Sequence, residues 1–179
     1  MSSVLVLLAD GFEEIEAFTP IDLLRRGGVG VTTASLPDNR HVTGRSGITA
    51  HADVAVSQLD GKLCDLLFLP GGAGVKNLRA DPRVKEIVLQ HHRADRWLAA
   101  ICAAPTVLHD CGLLDGRSYT AHFSVANELP AIKAHERVVT DGKITTSRGA
   151  GTAVDFGLHL VALLVSAEKS REISKAICL

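Results

Sequence analysis

The sequence predicts an α/β fold in which helices cover both faces of a mostly parallel, flavodoxin-like β-sheet. Short continuous apolar runs of strand length recur along the chain, and helical segments separate most of them. Strands that alternate with helices favour parallel pairing through right-handed crossovers. Because 179 residues without a linker or a repeat suit a single core, we expect one domain spanning residues 1–179.

The N-terminal half supplies three core strands. "SVLVLLAD" predicts the first strand, and "TPIDLLRRGG" predicts a helix capped by Thr19 with Pro20 in its first turn. The preceding "GFEEIEAF" is either a loop or an earlier helical turn kinked at Pro20. "VGVTTASL" predicts the second strand, "HVTGRSGITAHADVAVSQL" a small β excursion, and "CDLLFLPGGAG" a third strand that ends at a glycine-rich turn.

The C-terminal half repeats the alternation. "DPRVKEIVLQHHRAD" predicts a helix capped by Asp81, "RWLAAI" a strand, and "APTVLHDCG" a short helix closed by Gly112. "RVVTDGKITTS" predicts a hairpin that turns at Asp141-Gly142. Two closing helices are expected over residues 152–165 and 168–177.

Composition excludes several classes of function. The 19 Lys and Arg residues nearly balance the 20 Asp and Glu residues, so charge gives no reason to expect nucleic-acid binding. The longest apolar run near the C-terminus is too short to span a membrane, and the N-terminus lacks a signal-peptide pattern, so we expect a soluble, cytoplasmic protein. "PGGAGVKN" completes no nucleotide-binding motif, and the histidines and cysteines show no zinc-ligand spacing, so we expect no cofactor and no metal.

Four cysteines occur without a CxxC pair, and we expect them to be free thiols: Cys64, Cys102, Cys111 and Cys178. Cys102 has two interpretations. A free cysteine after an apolar strand is often a buried core residue. The segment also has the layout of a nucleophile elbow, a sharp turn that exposes a reactive side chain. In this layout the cysteine stands between a strand and a helix and has small neighbours, here Ala100 and Ala104.

The carboxyl ends of parallel strands meet at one edge of a sheet, so we expect three strand ends to converge: "ADGFEEIE", "LPGGAG" and "AICAAP". An elbow at Cys102 then has chemical consequences. A helix N-terminus favours a thiolate, so we expect the pKa of Cys102 to fall below its usual value of about 8.5. The backbone N–H of Ala103 can point at an oxyanion, and Gly72 in "PGGAG" can supply a second donor.

Two ionisable residues are candidates for proton transfer beside this thiol. Glu16 has apolar neighbours on both sides, so burial among like charges should raise its pKa and keep it protonated. Glu13 and Glu14 are interpreted as a solvated acidic loop. His122 in "YTAHFS" can be brought beside the elbow, although a single histidine is more often structural.

Five segments together resemble the ThiJ/PfpI superfamily, a class I glutamine amidotransferase-like group: "ADGFEEIEA", "LPGGAG", "AAICAAPTVL", "TAHFS" and "ITTSRGAGTAVDF". The chain looks most similar to the branch of the parkinsonism-associated protein deglycase and bacterial YajL-like proteins. Ala104, Phe123, Ala150 and Ser46 depart from residues frequent in that branch.

The resemblance implies roles for individual residues. It makes Cys102 an oxidation-prone nucleophile, Glu16 the protonated carboxyl at its sulfur, and His122 the nearby imidazole. Gly72 and Ala103 would be the backbone donors. It further implies that Asp22 orients His122, and that the chain forms a homodimer through its first helix. Arg26 and Arg45 would then approach the pocket from the partner chain.

These features predict a cofactor-independent glyoxalase or deglycase that uses Cys102. Its expected substrates are small aldehydes of the methylglyoxal type or the early adducts that they form with proteins. The alternative is a redox-sensing stress protein or chaperone switched by oxidation of Cys102. A small-substrate cysteine peptidase or amidase is the third, weaker alternative.

Overall fold

A seven-stranded sheet forms the centre of the fold in the computed structural model, which describes residues 1–179. The strands of the chain are β1 (Ser3–Leu8), β2 (Gly30–Ser35), β3 (His41–Thr43), β4 (Thr49–His51), β5 (Val54–Ala55), β6 (Leu66–Leu69), β7 (Trp97–Ile101), β8 (Val138–Asp141) and β9 (Ile144–Ser147). The sheet order is β5-β2-β1-β6-β7-β9-β8, and only β8 runs antiparallel to its neighbour. The predicted fold class is confirmed.

Helices cover both faces of this sheet. They are α1 (Glu14–Arg26), α2 (Val75–Ala80), α3 (Pro82–Arg93), α4 (Pro105–Asp110), α5 (Ala153–Leu164) and α6 (Ala167–Ala176). Two separate clusters of buried apolar side chains fill the two helix–sheet layers, which is why the central strands read as continuous apolar runs. None of the helices combines the length and the apolar character that a membrane span requires.

Helix α1 begins earlier than the predicted cap at Thr19. The Glu13 side chain accepts a hydrogen bond from the Glu16 N–H at 2.7 Å and caps the helix, and Pro20 lies inside it. The second alternative for "GFEEIEAF", an earlier helical turn, is therefore the correct one. A proline inside a helix lowers the stability of the helix. Pro20 is buried, however, and a Cβ added to Gly157 of α5 would lie only 3.0 Å from the Pro20 Cα. Close packing of α1 against α5 offsets the lost hydrogen bond.

The remaining elements follow the predictions with small shifts. Asp81 caps α3 by accepting a hydrogen bond from the Arg83 N–H at 2.9 Å, and the predicted β excursion is the antiparallel hairpin β3–β4. Strands β8 and β9 form the expected hairpin, with Asp141 paired to Ile144. Helix α2, within "AGVKNLRA", was not predicted.

The strand order determines where a site can form. Strands β1 and β6 are neighbours, while the chain continues from β1 to β2 on one side and from β6 to β7 on the other. Such a reversal of strand order opens a crevice at the carboxyl ends of the strands. The loops after β1, β6 and β7 meet there.

Candidate active site

Cys102 lies at a sharp turn directly after the inner strand β7. Its backbone has φ +66°, a left-handed conformation that is strained for any residue other than glycine. Two hydrogen bonds hold the turn: the Cys102 N–H donates to the Ser147 carbonyl, and its carbonyl accepts from the His122 N–H, both at 2.9 Å. Ala100 and Ala104 are fully buried on either side. The predicted elbow geometry is present, and the thiol is half-buried, not sealed in the core.

Backbone donors face the sulfur. The N–H groups of Gly72 and Ala103 lie near the Cys102 sulfur, favour its ionised form and so oppose the rise in its pKa. Gly72 adopts φ +92°, and a Cβ there would lie 2.5 Å from both the Glu13 nitrogen and the Gly11 carbonyl oxygen. Only glycine fits this close approach between the loops after β1 and β6, so the Gly72 donor is fixed by the packing of two loops.

Glu16 is the carboxyl group against the thiol. Its side chain is 2% exposed, and burial raises its pKa to about 7 although the Cys102 side chain opposes the shift by hydrogen bonding. The negative charge of Glu13 raises it further. Its Oε2 atom is buried without a well-formed hydrogen bond. The carboxyl can therefore give or take a proton near neutral pH, where acid–base catalysis is most effective.

The expected depression of the thiol pKa is wrong in direction. Burial raises the pKa of Cys102, and the nearby Glu16 charge raises it further, whereas the Gly72 and Ala103 N–H groups only partly oppose this. Helix α4 begins three residues later and has only six residues, so its dipole is small. Since two charges in contact repel, the pair releases one proton near neutrality and retains the other.

Gly71 determines the contact between the two acids, and the sequence analysis missed it. A Cβ at this position would lie 2.2 Å from Glu16 Oε2 and 2.5 Å from Cys102 Cβ. The carboxyl and the thiol therefore pack over the bare Cα of Gly71. The glycine doublet in "LPGGAG" is the sequence signal for this position.

A cavity of about 550 Å³ opens over these groups. Cys102, Glu16, Gly72, Ala103 and His122 all line it. Arg45, from the β3–β4 hairpin, and Lys76, from α2, line it as well and bring positive charge to it.

His122 lines the cavity, and its ring is held in one tautomer. The Ser124 N–H donates to His122 Nδ1 at 3.2 Å, and the Ser124 hydroxyl lies 2.8 Å from the same atom. Because a main-chain N–H can only donate, Nδ1 is unprotonated and the neutral ring carries its hydrogen on Nε2. A Cβ at Gly149 would lie 3.4 Å from the ring and 3.5 Å from Glu16 Oε1. Both side chains therefore flank Gly149, and the imidazole can act as a donor through Nε2.

Three other expectations need correction. Asp22 does not orient His122 within the chain, because it pairs with Arg26 at 2.6 Å on the exposed side of α1. Arg45 lines the cavity of its own chain, whereas the resemblance implied an approach from a partner chain. Glu14 is 7% exposed, not solvated, and it accepts a hydrogen bond from the Ser46 N–H at 2.9 Å.

Comparison with known proteins finds relatives over nearly the whole chain. The sequence matches the DJ-1/PfpI family over residues 2–163. It is 35% identical to Protein dj-1beta of Drosophila melanogaster over 98% of this chain and 96% of that protein. It is 32% identical to the glutathione-independent glyoxalase DJR-1.2 of Caenorhabditis elegans, over 99% of this chain and 96% of that one.

Solved structures show the same architecture. The crystal structure of Drosophila melanogaster DJ-1beta has a TM-score of 0.96 at 35% identity and covers 100% of this chain and 99% of its own. The structure of oxidized Toxoplasma gondii DJ-1 has a TM-score of 0.95 at 33% identity, with coverages of 99% and 98%. The resemblance predicted from five short segments is confirmed, and the chain belongs to the DJ-1/PfpI family.

Proposed function

We propose that this chain is a cofactor-independent glyoxalase or deglycase that acts on methylglyoxal-type dicarbonyls or on their early protein adducts. The observation that carries the proposal is the Glu16–Cys102 pair: a buried carboxyl with a pKa of about 7 against a half-buried thiol at an elbow. Similarity to a relative named as a glutathione-independent glyoxalase supports it.

The reaction begins when the Cys102 sulfur adds to the aldehyde carbon. Because the pKa of the free thiol is raised, its proton moves to the Glu16 carboxylate as the carbon–sulfur bond forms. The former aldehyde oxygen becomes an oxyanion. The Gly72 and Ala103 N–H groups, which face the sulfur in the free chain, stabilise this charge until Glu16 gives its proton to the oxygen. This step forms the hemithioacetal and leaves Glu16 as a carboxylate.

The second half is an internal rearrangement. Glu16 removes the proton from the carbon bonded to sulfur while the ketone oxygen gains a proton, which gives an enediol. The hydroxyl on the sulfur-bearing carbon then loses its proton as Glu16 returns a proton to the neighbouring carbon, so the product is a thioester of lactate. Water then cleaves the thioester, releasing lactate and the thiol. The aldehyde carbon is oxidised while the ketone carbon is reduced, so no external oxidant or reductant is consumed. His122 Nε2–H can donate to the substrate carbonyl.

A lactate-release assay tests the proposal. Cys102→Ser and Glu16→Ala should each lose turnover, by roughly 10²–10⁴-fold for the proton-transfer residue. Cys111→Ser is the matched control, since Cys111 is also a half-buried free thiol but does not line the cavity. Wild-type turnover that equals that of both site variants would reject the proposal.

A redox role is the second candidate, favoured by the similarity to a DJ-1 structure described as oxidized. We propose that two equivalents of peroxide convert the Cys102 thiol to a sulfinic acid and release two waters. The Gly72 and Ala103 N–H groups and protonated Glu16 would hold the new oxygens. Intact mass after stoichiometric peroxide should show two added oxygens at Cys102, and fewer in Glu16→Gln. Random oxidation across all four cysteines would count against a sensor or an oxidation-switched chaperone.

We further propose that the chain is cytoplasmic, since four free thiols suit a reducing compartment. We also propose that it forms a homodimer. Ile15 and Phe18 on α1 are 53% and 37% exposed, and Ile48 on the adjoining hairpin is 56% exposed. Apolar side chains on neighbouring elements favour an interface that includes the first helix. Sedimentation velocity should give a dimer for the wild type and a monomer for Ile15→Lys. A monomeric wild type would refute this assembly and, with it, an approach of Arg26 to a partner's cavity.

A further inference from the structure

Two histidines face each other across the β3–β4 hairpin, away from the Cys102 site. His41 and His51 are directly paired residues of the antiparallel ladder, and both are exposed. His41 Nε2 lies 3.3 Å from His51 Nδ1, and the ring centroids are 4.8 Å apart. They are ten positions apart in the sequence, so no ligand motif of short spacing could reveal the pair.

The His41 ring is fixed by Asn39. The Asn39 side-chain oxygen accepts a hydrogen bond from the His41 main-chain N–H at 3.0 Å. His41 Nδ1 lies 3.0 Å from the Asn39 carbonyl oxygen. A carbonyl can only accept, so Nδ1 carries the hydrogen and Nε2 presents its lone pair toward His51. A histidine that donates one ring N–H to a backbone carbonyl is oriented as metal-binding histidines are.

We propose that His41 and His51 chelate one divalent transition-metal ion of the Zn²⁺ or Cu²⁺ type, for which imidazole is a preferred ligand. Two nitrogens that each lie 2.0–2.1 Å from a tetrahedral ion are about 3.3 Å apart, which matches the observed separation of the ring nitrogens. The ion replaces the hydrogen between the rings. His51 moves that hydrogen from Nδ1 to Nε2, so both rings remain neutral and no proton is released.

The surroundings indicate an exchangeable ion. No group of three or more His, Cys, Asp or Glu side chains is arranged to hold a metal, so water completes the coordination. The nearest acidic candidate in sequence, Asp53, is already bonded to the N–H and hydroxyl of Thr33, each at 2.8 Å. On the same face of the hairpin, the Thr43 and Thr49 hydroxyls lie 3.0 Å apart and offer oxygens to the bound waters.

Calorimetric titration of the full, reduced chain with Zn²⁺ tests the site. One ion per chain is expected, with at least a tenfold loss of affinity in His41→Ala and in His51→Ala, because even indirect partners of metal ligands contribute tenfold or more. His135→Ala is the control, since His135 is an exposed histidine elsewhere on the chain. Unchanged affinity in both hairpin variants would overturn the proposal.

A second measurement excludes binding through thiols. In imidazole nitrogen NMR spectra, His41 Nε2 and His51 Nδ1 should move on addition of Zn²⁺, and the His51 tautomer should switch. Saturated binding without these shifts would place the ion at a cysteine and refute the inference. Lactate release by the metal-free hairpin variants should equal that of the wild type, so this result and that for the Cys102 site can be judged separately.

Discussion

Replacing Glu16 with glutamine should stabilise the protein at neutral pH while it removes the proposed proton carrier. Glu16 is 2% exposed, and burial raises its pKa from 4.5 to about 7. Between these two values the folded chain binds a proton more tightly than the unfolded chain does. The contribution of Glu16 to the free energy of unfolding is therefore greatest below pH 4.5, falls as pH rises through this window, and levels off above about pH 7.

The size of the effect follows from the pKa shift. Each pKa unit corresponds to about 1.4 kcal/mol, so the charged carboxylate costs roughly 3 kcal/mol above pH 7. Glutamine keeps the shape of the side chain and carries no charge at any pH. Glu16→Gln should therefore match the wild type near pH 4.5 and exceed its stability by roughly 3 kcal/mol at pH 8.

Urea unfolding at a series of pH values measures this difference. With a slope of about 2 kcal/mol per molar urea, the midpoint of Glu16→Gln should lie roughly 1.5 M above that of the wild type at pH 8. Glu136→Gln is the control, because Glu136 is exposed. A stability difference that does not change between pH 4.5 and pH 8, or a less stable Glu16→Gln at pH 8, would refute the argument.

Two further predictions concern packing around the elbow. Gly71→Ala should lower lactate release about a hundredfold, because the carboxyl 2.2 Å from the new methyl must retreat by more than 1 Å. Gly30→Ala, with its nearest atom at 3.7 Å, should stay within threefold of the wild type. Equal rates for the two variants would contradict this. Thr146→Val should cost about 1–3 kcal/mol of unfolding free energy, because the buried Thr120 N–H loses its acceptor at 2.9 Å, and an unchanged thermal or urea transition would argue against that contact.

The sequence was sufficient to predict the strand pattern and the elbow. Apolar runs reveal strands covered on both faces, and the small residues around Cys102 are required by a turn at φ +66°. It was less informative about α1, because local capping rules favoured Thr19. Glu13 caps the helix instead, and packing against α5 allows it to pass through Pro20.

Electrostatics was the least predictable part. Proximity to a helix suggested a thiol with a lowered pKa, but burial of Cys102 and Glu16 against each other determines the sign of the shift. The Asn39–His41–His51 arrangement depends on the register of a hairpin. The expectation of no metal site depends on the spacing of histidines and cysteines along the chain. That spacing carries no information about residues that face each other across two strands.

The left-handed backbone at Cys102 has a consequence for how this gene would change without selection. Glycine would relieve about 1–2 kcal/mol of backbone strain there and lose up to about 1 kcal/mol through greater freedom of the unfolded chain. These two backbone effects nearly cancel, so replacing Cys102 with glycine changes the backbone contribution to folding little. A duplicated copy that no longer needed its chemistry could lose the cysteine by drift and still fold, so the shape of a relative alone would say little about whether it is still active.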